Sequence, residues 1–437
     1  MTSRPAADPA ARSEPGGRGG PGGLLLVVLL LAMGAGPLFN YALSAASTVV
    51  IDRLGVSSGR LGTVLTVVFA SAALTSVWLG RAADRLSARA QMGIIFGGTA
   101  VALVLGAFAP TLGLLYAAAA VAGVTQAISN PTTNRIIRTA VPAERRIGWI
   151  GVKQSGVQAS QLFAGLFFPA AALALGWTGA SLAAAALVAA LWVLAVRASP
   201  ASAPPLPTTT APAAGAAPDA GSGTDEDIGS GRAARRAPLP PTVWFFGGIA
   251  LLTGVGMQAT NMYLPLFAVE SLDQSLVVGG AAAALSGVVG VFSRIWWGRR
   301  MSAGHRPSTL LAGICAGALL GVLVLLAADA WHLPALLWAG AAVHGLTVLG
   351  ANVVTNAGLM DAVPAERLGR ASGVNAMGMY AGFALGPLVM GLLRDITGDF
   401  RLGFAAVGVA YVLAGVVVLL LRRHTDRVAV AAAGAAR

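Results

Sequence analysis

The sequence predicts an all-α integral membrane protein with twelve transmembrane helices, arranged as two pseudo-symmetric six-helix bundles. Composition is the first reason. Of 437 residues, 56% are hydrophobic and 11% charged, with a mean hydropathy of +0.75. A soluble domain is nearer a quarter charged. The second reason is an internal repeat. Residues 121–145, VAGVTQAISNPTTNRIIRTAVPAER, return at 343–367 as VHGLTVLGANVVTNAGLMDAVPAER, at an offset of 222 without a gap. A repeated stretch that is apolar, then polar, then basic reads as a duplicated membrane span. The third reason is the placement of arginines, which punctuate the apolar runs.

Twelve apolar segments run at about 24–50, 58–80, 90–108, 111–139, 147–173, 178–197, 243–270, 276–298, 308–328, 333–361, 369–393 and 402–421. The first is too long for a secretory signal and continues into Asn40 and Tyr41, so it is expected to stay as a helix. The second ends in Arg81, Arg85 and Arg89, and the fourth in Arg145 and Arg146. The sixth runs into a Pro-, Ala-, Gly- and Thr-rich stretch with an acidic patch at Asp225–Asp227. That stretch, 198–241, cannot bury a core and is expected to be a disordered cytoplasmic linker between bundles at 23–197 and 242–422. Residues 1–22 read as a disordered tail and 423–437 as a second cytoplasmic tail. The eighth segment ends at Arg299 and Arg300, the tenth at Arg367 and the twelfth at Arg422, Arg423 and Arg427. Only Arg53, Arg60, Arg394 and Arg401 fall on the other side. The crowded side is therefore expected to be cytoplasmic, with both termini inside a plasma or inner membrane. A sequence pI of 11.3 does not mean a nucleic-acid partner here, because the arginines make no single basic face. Cys315 is the only cysteine, which excludes an intrachain disulfide.

The loop after the second segment, Gly80-Arg81-Ala82-Ala83-Asp84-Arg85-Leu86-Ser87-Ala88-Arg89, resembles the G-x-x-x-D-R/K-x-G-R/K-R/K signature of the major facilitator superfamily, with Ser87 in place of the second glycine. A degraded copy, Gly298-Arg299-Arg300-Met301-Ser302, follows the eighth. Motif, repeat and the six-plus-six pattern together cover nearly the whole chain. Within the superfamily, Gly151-Val152-Lys153-Gln154-Ser155-Gly156 is similar to a short GxKQxG stretch of members grouped with cyanate and nitroimidazole transporters. The drug/proton antiporter branch fits less well. Its span-four arginine would fall at Ala119, and its G-P-x-G-G is absent from span five. The resemblance implies alternating access, a site between the halves lined by spans 1, 4, 7 and 10, and a gating clasp made by Gly80, Asp84 and Arg85. The bland reading of that loop is topology alone, with Asp84 solvated.

Polar residues inside apolar helices are the candidate solute contacts. Asn40, Ser44 and Ser47 share a face in span one; Gln126, Asn130, Thr133 and Asn134 do so in span four; Asn352, Thr355 and Asn356 mirror them in span ten; Gln258, Asn261 and Tyr263 lie in span seven. Helix-to-helix hydrogen bonding explains any one of them equally well. In span five, Gln154, Gln158 and Gln161 form a row, with Lys153 on its shoulder. Lys153 is the only lysine, and a lysine inside a span is costly and functional by default. It reads either as an anion-binding group or as a side chain snorkelling to the headgroups. His344 is the only histidine within a span, a candidate proton carrier or a packing residue. Arg294, Arg135 and Arg138 read as topology or gate charges.

No nucleotide loop or metal-spacing cluster is present in the sequence, so no cofactor is expected and an enzyme is disfavoured. The expected function is secondary active transport of a small polar, anionic organic solute, coupled to protons as in a symporter, by a monomer in the lipid bilayer. A drug or metabolite exporter of the same fold is the alternative, and a non-transporting membrane sensor is the rival of another class.

Overall fold

The computed structural model describes residues 22–198 and 238–435. Most of the two expected disordered segments, the tail 1–22 and the linker 198–241, lies outside the described residues. The helices follow the apolar segments closely, and they are numbered here as twelve.

Helix α1 spans 23–54 in three pieces, Gly23–Ala35, Leu38–Ala45 and Ser47–Leu54. The first two are bent by 54° at Gly36-Pro37, where the proline removes a backbone donor. Gly55 closes α1 with φ +58, a left-handed cap that favours glycine. Then come α2 (Ser58–Arg85), α3 (Ala88–Ala107) and α4 (Leu112–Ala140). Next, 143–198 is one apolar run far too long for a single crossing of about 30 Å. It is broken at Gly176, whose φ of +68 and ψ of 172 no helix contains, giving α5 (143–175) and α6 (177–198). Within α5, Ser155 separates Ala143–Gln154 from the helix that starts at Gly156. The second half has α7 (Pro241–Leu272), α8 (Leu276–Ser302), α9 (Pro307–Trp331), α10 (Pro334–Ala362), α11 (Ala365–Thr397) and α12 (Arg401–Ala435). Proline opens α7, α9 and α10, where its missing N–H costs nothing. Helix α10 contains a 3-10 turn at Val348–Gly350. Helix α12 does not stop near 422 but continues through the expected tail, where Asp426 pairs with Arg306 at 3.0 Å. Among the described residues, ten helices are long and apolar enough to cross a membrane. The bent α1 supplies an eleventh, and the break at Gly176 splits one into two.

The repeat is visible in packing. Gly123 of α4 sits against the Val68 carbonyl of α2, and its mate Gly345 of α10 sits against the Ser286 carbonyl of α8. Gly156 of α5 lies on the Leu30 carbonyl of α1, and its mate Gly378 of α11 lies on the Gly247 carbonyl of α7. Each half repeats the same close approaches, which a side chain would block.

The halves meet along two seams, α5 with α8 and α2 with α11. The first stays closed over most of its length, from Gly165 against Gly280 to Gly287 against the backbone of Gln158 and Leu162. The second closes only at the end away from the termini. There Asp395 of α11 accepts from the Ser57 hydroxyl (2.6 Å) and the Gly59 N–H (2.9 Å). Tyr263 of α7 donates to the Ser58 carbonyl at 2.8 Å, and Thr66 donates to the Ala384 carbonyl at 2.8 Å. Phe69 meets Phe383 edge to face. A carboxylate of one half thus caps a helix of the other. Toward the end that carries the termini, Trp78 of α2 and Met377 of α11 are exposed. The described contacts place a closed face at one end and an opening cleft at the other.

Candidate functional site

Lys153 is fully buried. Its Nζ donates to Asn130 Oδ1 at 2.7 Å and to Thr133 Oγ1 at 2.8 Å, both on α4, and lies 3.9 Å from the Met33 sulfur on α1. This overturns snorkelling: the ammonium turns into the bundle. The reason is local. Two polar side chains one turn apart on α4 offer oxygen acceptors that the apolar surroundings otherwise lack. Asn130 and Asn134 are exposed along α4, followed by Arg138, so this row faces the cleft. Asn356 is exposed and Asn352 half-buried at the matching places of α10.

Span one and span seven meet deeper in. The Ser44 hydroxyl donates to the Met262 carbonyl at 2.7 Å. Asn40 lies one turn before Ser44, and Gln258 one turn before Met262, so both sit at one level, on the cleft side of that contact. Both are buried. Asn261 donates weakly to Gln258 at 3.4 Å. Neither polar atom of Asn40 has a partner, nor do Gln126 Oε1, Gln158 Oε1, Gln161 Oε1 or Asn261 Oδ1. Buried amides from α1, α4, α5 and α7 with free hydrogen-bonding capacity are what a polar solute or water would satisfy.

The glutamine row of span five is placed otherwise than its spacing predicts. The break at Ser155 separates Gln154 from the rest. Gln161 donates to the Ala283 carbonyl of α8 at 3.2 Å, and Gln158 packs on Gly290 of α8. These two glutamines line the seam between the halves. His344 is fully buried where α10 crosses α9 at Gly321, and neither ring nitrogen has a partner. The side chains of Gly80, Asp84 and Arg85 lie outside the described residues. The neighbouring Leu86 carbonyl accepts from Arg135 of α4 at 3.0 Å, tying the loop to that helix.

One residue escaped the sequence reading, and one is placed more finely than it was read. Arg294 of α8, read as a topology or gate charge, reaches across the halves: its Nη1 donates to the Gln154 carbonyl at 2.9 Å, and its Nε to the Leu349 carbonyl at 3.3 Å. It also lies within electrostatic reach of Tyr41. Asn375 of α11 donates to Asn356 of α10 at 3.0 Å. A signal existed for it, since Gly151-Val152-Lys153 and Gly156 recur as Gly373-Val374-Asn375 and Gly378 at the same offset of 222.

Comparison with known proteins agrees with this architecture. The family model of the Major Facilitator Superfamily matches residues 24–333 and 300–437. The chain belongs to the Major Facilitator Superfamily. It is accordingly a multi-pass membrane transporter and not an enzyme. Its sequence is 29% identical over 175 residues to the multidrug resistance protein MdtG of Proteus mirabilis, a match covering 39% of this chain and 41% of that protein. Its fold is similar to a mutant form of the nucleoside transporter NupG, at a TM-score of 0.69 and 14% identity over 91% of this chain and 99% of that one. It is also similar to a bacterial homologue of the human lysosomal transporter Spinster in an inward-facing, unoccupied conformation, at 0.68 and 17% over 91% and 96%. At such identities these structures establish the fold alone.

Proposed function

We propose that this transporter carries a small polar organic anion by alternating access, with proton coupling. The observation that carries the charge assignment is Lys153: a buried cation held by two neutral side chains, with no carboxylate within salt-bridge distance among the described residues. Such a charge is expensive in the bilayer unless something of opposite sign joins it. A thermal-shift screen of anionic and neutral solutes on purified protein tests this. The stabilising solutes should be anions, Lys153→Gln should abolish their effect, and Lys153→Arg should retain part of it. Equal shifts in wild type and Lys153→Gln would reject the anion site.

Proton coupling is assigned to His344, the intramembrane imidazole with both nitrogens free. In proteoliposomes, His344→Ala should abolish accumulation driven by a pH gradient while solute exchange persists. Unchanged gradient-driven uptake would remove His344 from the role. The arginine-rich end is assigned to the cytoplasm of a plasma-membrane protein, which makes the observed state inward-facing. The loop of Gly80, Asp84 and Arg85 is assigned the gating role, and Asp84→Asn should slow transport without changing solute affinity. The similarity to MdtG favours a second reading, drug or metabolite export. The direction of solute flux under a fixed pH gradient separates the two.

A further inference from the structure

Arg294 is a second cation inside the bundle that reaches across the halves; Arg135 of α4 is buried too, but is tied to the Leu86 carbonyl of its own half. Arg294 lies eight residues before the end of α8, about 12 Å along the axis, and Lys153 lies ten residues into α5, about 15 Å. Both therefore sit at similar depth from the terminal end of their helices. They belong to different halves, yet Arg294 bonds to the carbonyl of the residue next to Lys153. Its two recorded acceptors are backbone carbonyls at two helix interruptions, the break of α5 at Ser155 and the 3-10 turn of α10. Such interruptions free carbonyls to accept from outside the helix. These contacts hold the guanidinium in place but do not neutralise it. Its remaining N–H donors have no recorded acceptor, and no carboxylate lies within salt-bridge distance among the described residues.

The two cations are also not relics of the duplication. The mate of Lys153 is Asn375, and in the register that aligns Gly80 with Gly298 the mate of Arg294 is Ser76. Each half carries one charge where the other half is neutral. A monoanion would leave one of them uncompensated in a low-dielectric interior, whereas a dianion matches both. Guanidinium's planar fork suits a carboxylate in particular.

We propose that Arg294 is the second anion-binding group of the site, contributed by the carboxy-terminal half. The solute is then a small organic dianion, a dicarboxylate, whose charges are taken up one by Lys153 and one by Arg294. This rests on the anion-transport reading above and specifies its substrate class. Closure on the solute would draw the two halves together at the level of the Arg294–Gln154 contact.

The test uses full-length purified protein at neutral pH and fixed ionic strength. The probes are the dicarboxylates oxalate, malonate, succinate and glutarate, each against the monocarboxylate of equal chain length from acetate to valerate. At least one dicarboxylate should stabilise the wild type more than its matched monocarboxylate. Arg294→Gln and Lys153→Gln should each weaken the apparent affinity for it by about tenfold or more and erase its advantage over the monocarboxylate. Arg294→Lys should keep part of that advantage, which also controls for misfolding. If Lys153→Gln loses carboxylate binding while Arg294→Gln binds as wild type, the second group is wrong and the anion site stands. If no carboxylate stabilises the wild type, both the dianion and the anion reading fall.

Discussion

The two halves of the molecule are copies that differ in charge, most plainly at Lys153 and its mate Asn375. In the amino-terminal half, Lys153 of α5 reaches Asn130 and Thr133 of α4. In the carboxy-terminal half, Asn375 of α11 reaches Asn356 of α10. The glycines that set the helices together, Gly156 and Gly378, correspond, and each rests on a backbone carbonyl of the first helix of its half, Leu30 and Gly247. The backbone scaffold has been kept and the charge has not. On the Asn375 side the two amides share one hydrogen bond and carry no charge, and Asn375 Oδ1 is left buried without a partner. A lysine on neutral acceptors is satisfied in hydrogen bonds but not in charge, so the Lys153 side is complete only with an anion. The difference teaches that polar residues at equivalent depths need not share a role: one side brings a charge into the bundle, the other only hydrogen-bonding capacity.

The largest effect should come from erasing that difference. Lys153→Met keeps the length of the side chain and removes the charge. Transport of the anion should fall by about 100-fold, since a charged hydrogen-bonding partner worth roughly 3 kcal/mol is lost. Stability should hold or rise, because replacing a buried charge by an apolar isostere is often neutral or favourable by about 1–4 kcal/mol. Uptake in proteoliposomes and a melting curve read both. A large drop in melting temperature with uptake intact would make Lys153 a structural residue like Asn375.

Next in size is the shared scaffold. Gly156→Val and Gly378→Val each force a side chain onto a backbone carbonyl of a neighbouring helix. Each should destabilise by about 1–3 kcal/mol, through overpacking, and to a similar extent. Gly148→Ala, where nothing lies within 4 Å, should be silent. Denaturation in mild detergent measures all three. If one glycine proves tolerant and its mate does not, the halves differ in packing as well as in charge.

A smaller effect is expected at the closed end. Asp395 reaches α2 only when that end is shut. Asp395→Asn keeps one acceptor and loses the charge facing the helix N-terminus, a change of about 1 kcal/mol. The open population at that end should rise about fivefold. Distance measurements between spin labels on α2 and α11 would show it, and an unchanged distribution would mean that the α5–α8 seam alone sets the state.

Much of the fold was legible in the sequence because bilayer thickness imposes length and hydropathy on every helix, and duplication repeats the pattern. The discontinuities were less so. Gly36-Pro37 announces its bend, but the break at Ser155 and the 3-10 turn at Val348–Gly350 have no breaker residue of that kind. Arg294 donates to a carbonyl at each of them. Lys153 was legible as a lone lysine, yet its direction depended on acceptors about twenty residues away on another helix. Arg294 was legible as a topology or gate charge, but its acceptors, the Gln154 and Leu349 carbonyls, lie on two other helices. Asp395 lies at the end of an apolar segment like any boundary charge, and its partners are more than 330 residues distant.

The smallest expected effect lies on the neutral side of the comparison. The Asn375–Asn356 bond joins α11 to α10 within one half, and Asn356 is exposed to the cleft. Interhelical hydrogen bonds of this kind average about 0.6 kcal/mol in membranes. Asn375→Ala should therefore lower stability only slightly and leave anion affinity within about twofold of wild type. Asn375→Lys is the sharper variant, because it gives the second half the residue of the first. The new ammonium would sit beside Asn356 as Lys153 sits beside Asn130, adding a charge for which the matched anion has no counterpart. It should cost stability by about 2.5–3.5 kcal/mol on insertion scales and should not raise anion affinity. Measured tighter binding in Asn375→Lys would show that the solute reaches both repeats equally, and that the asymmetry between the halves is incidental to binding.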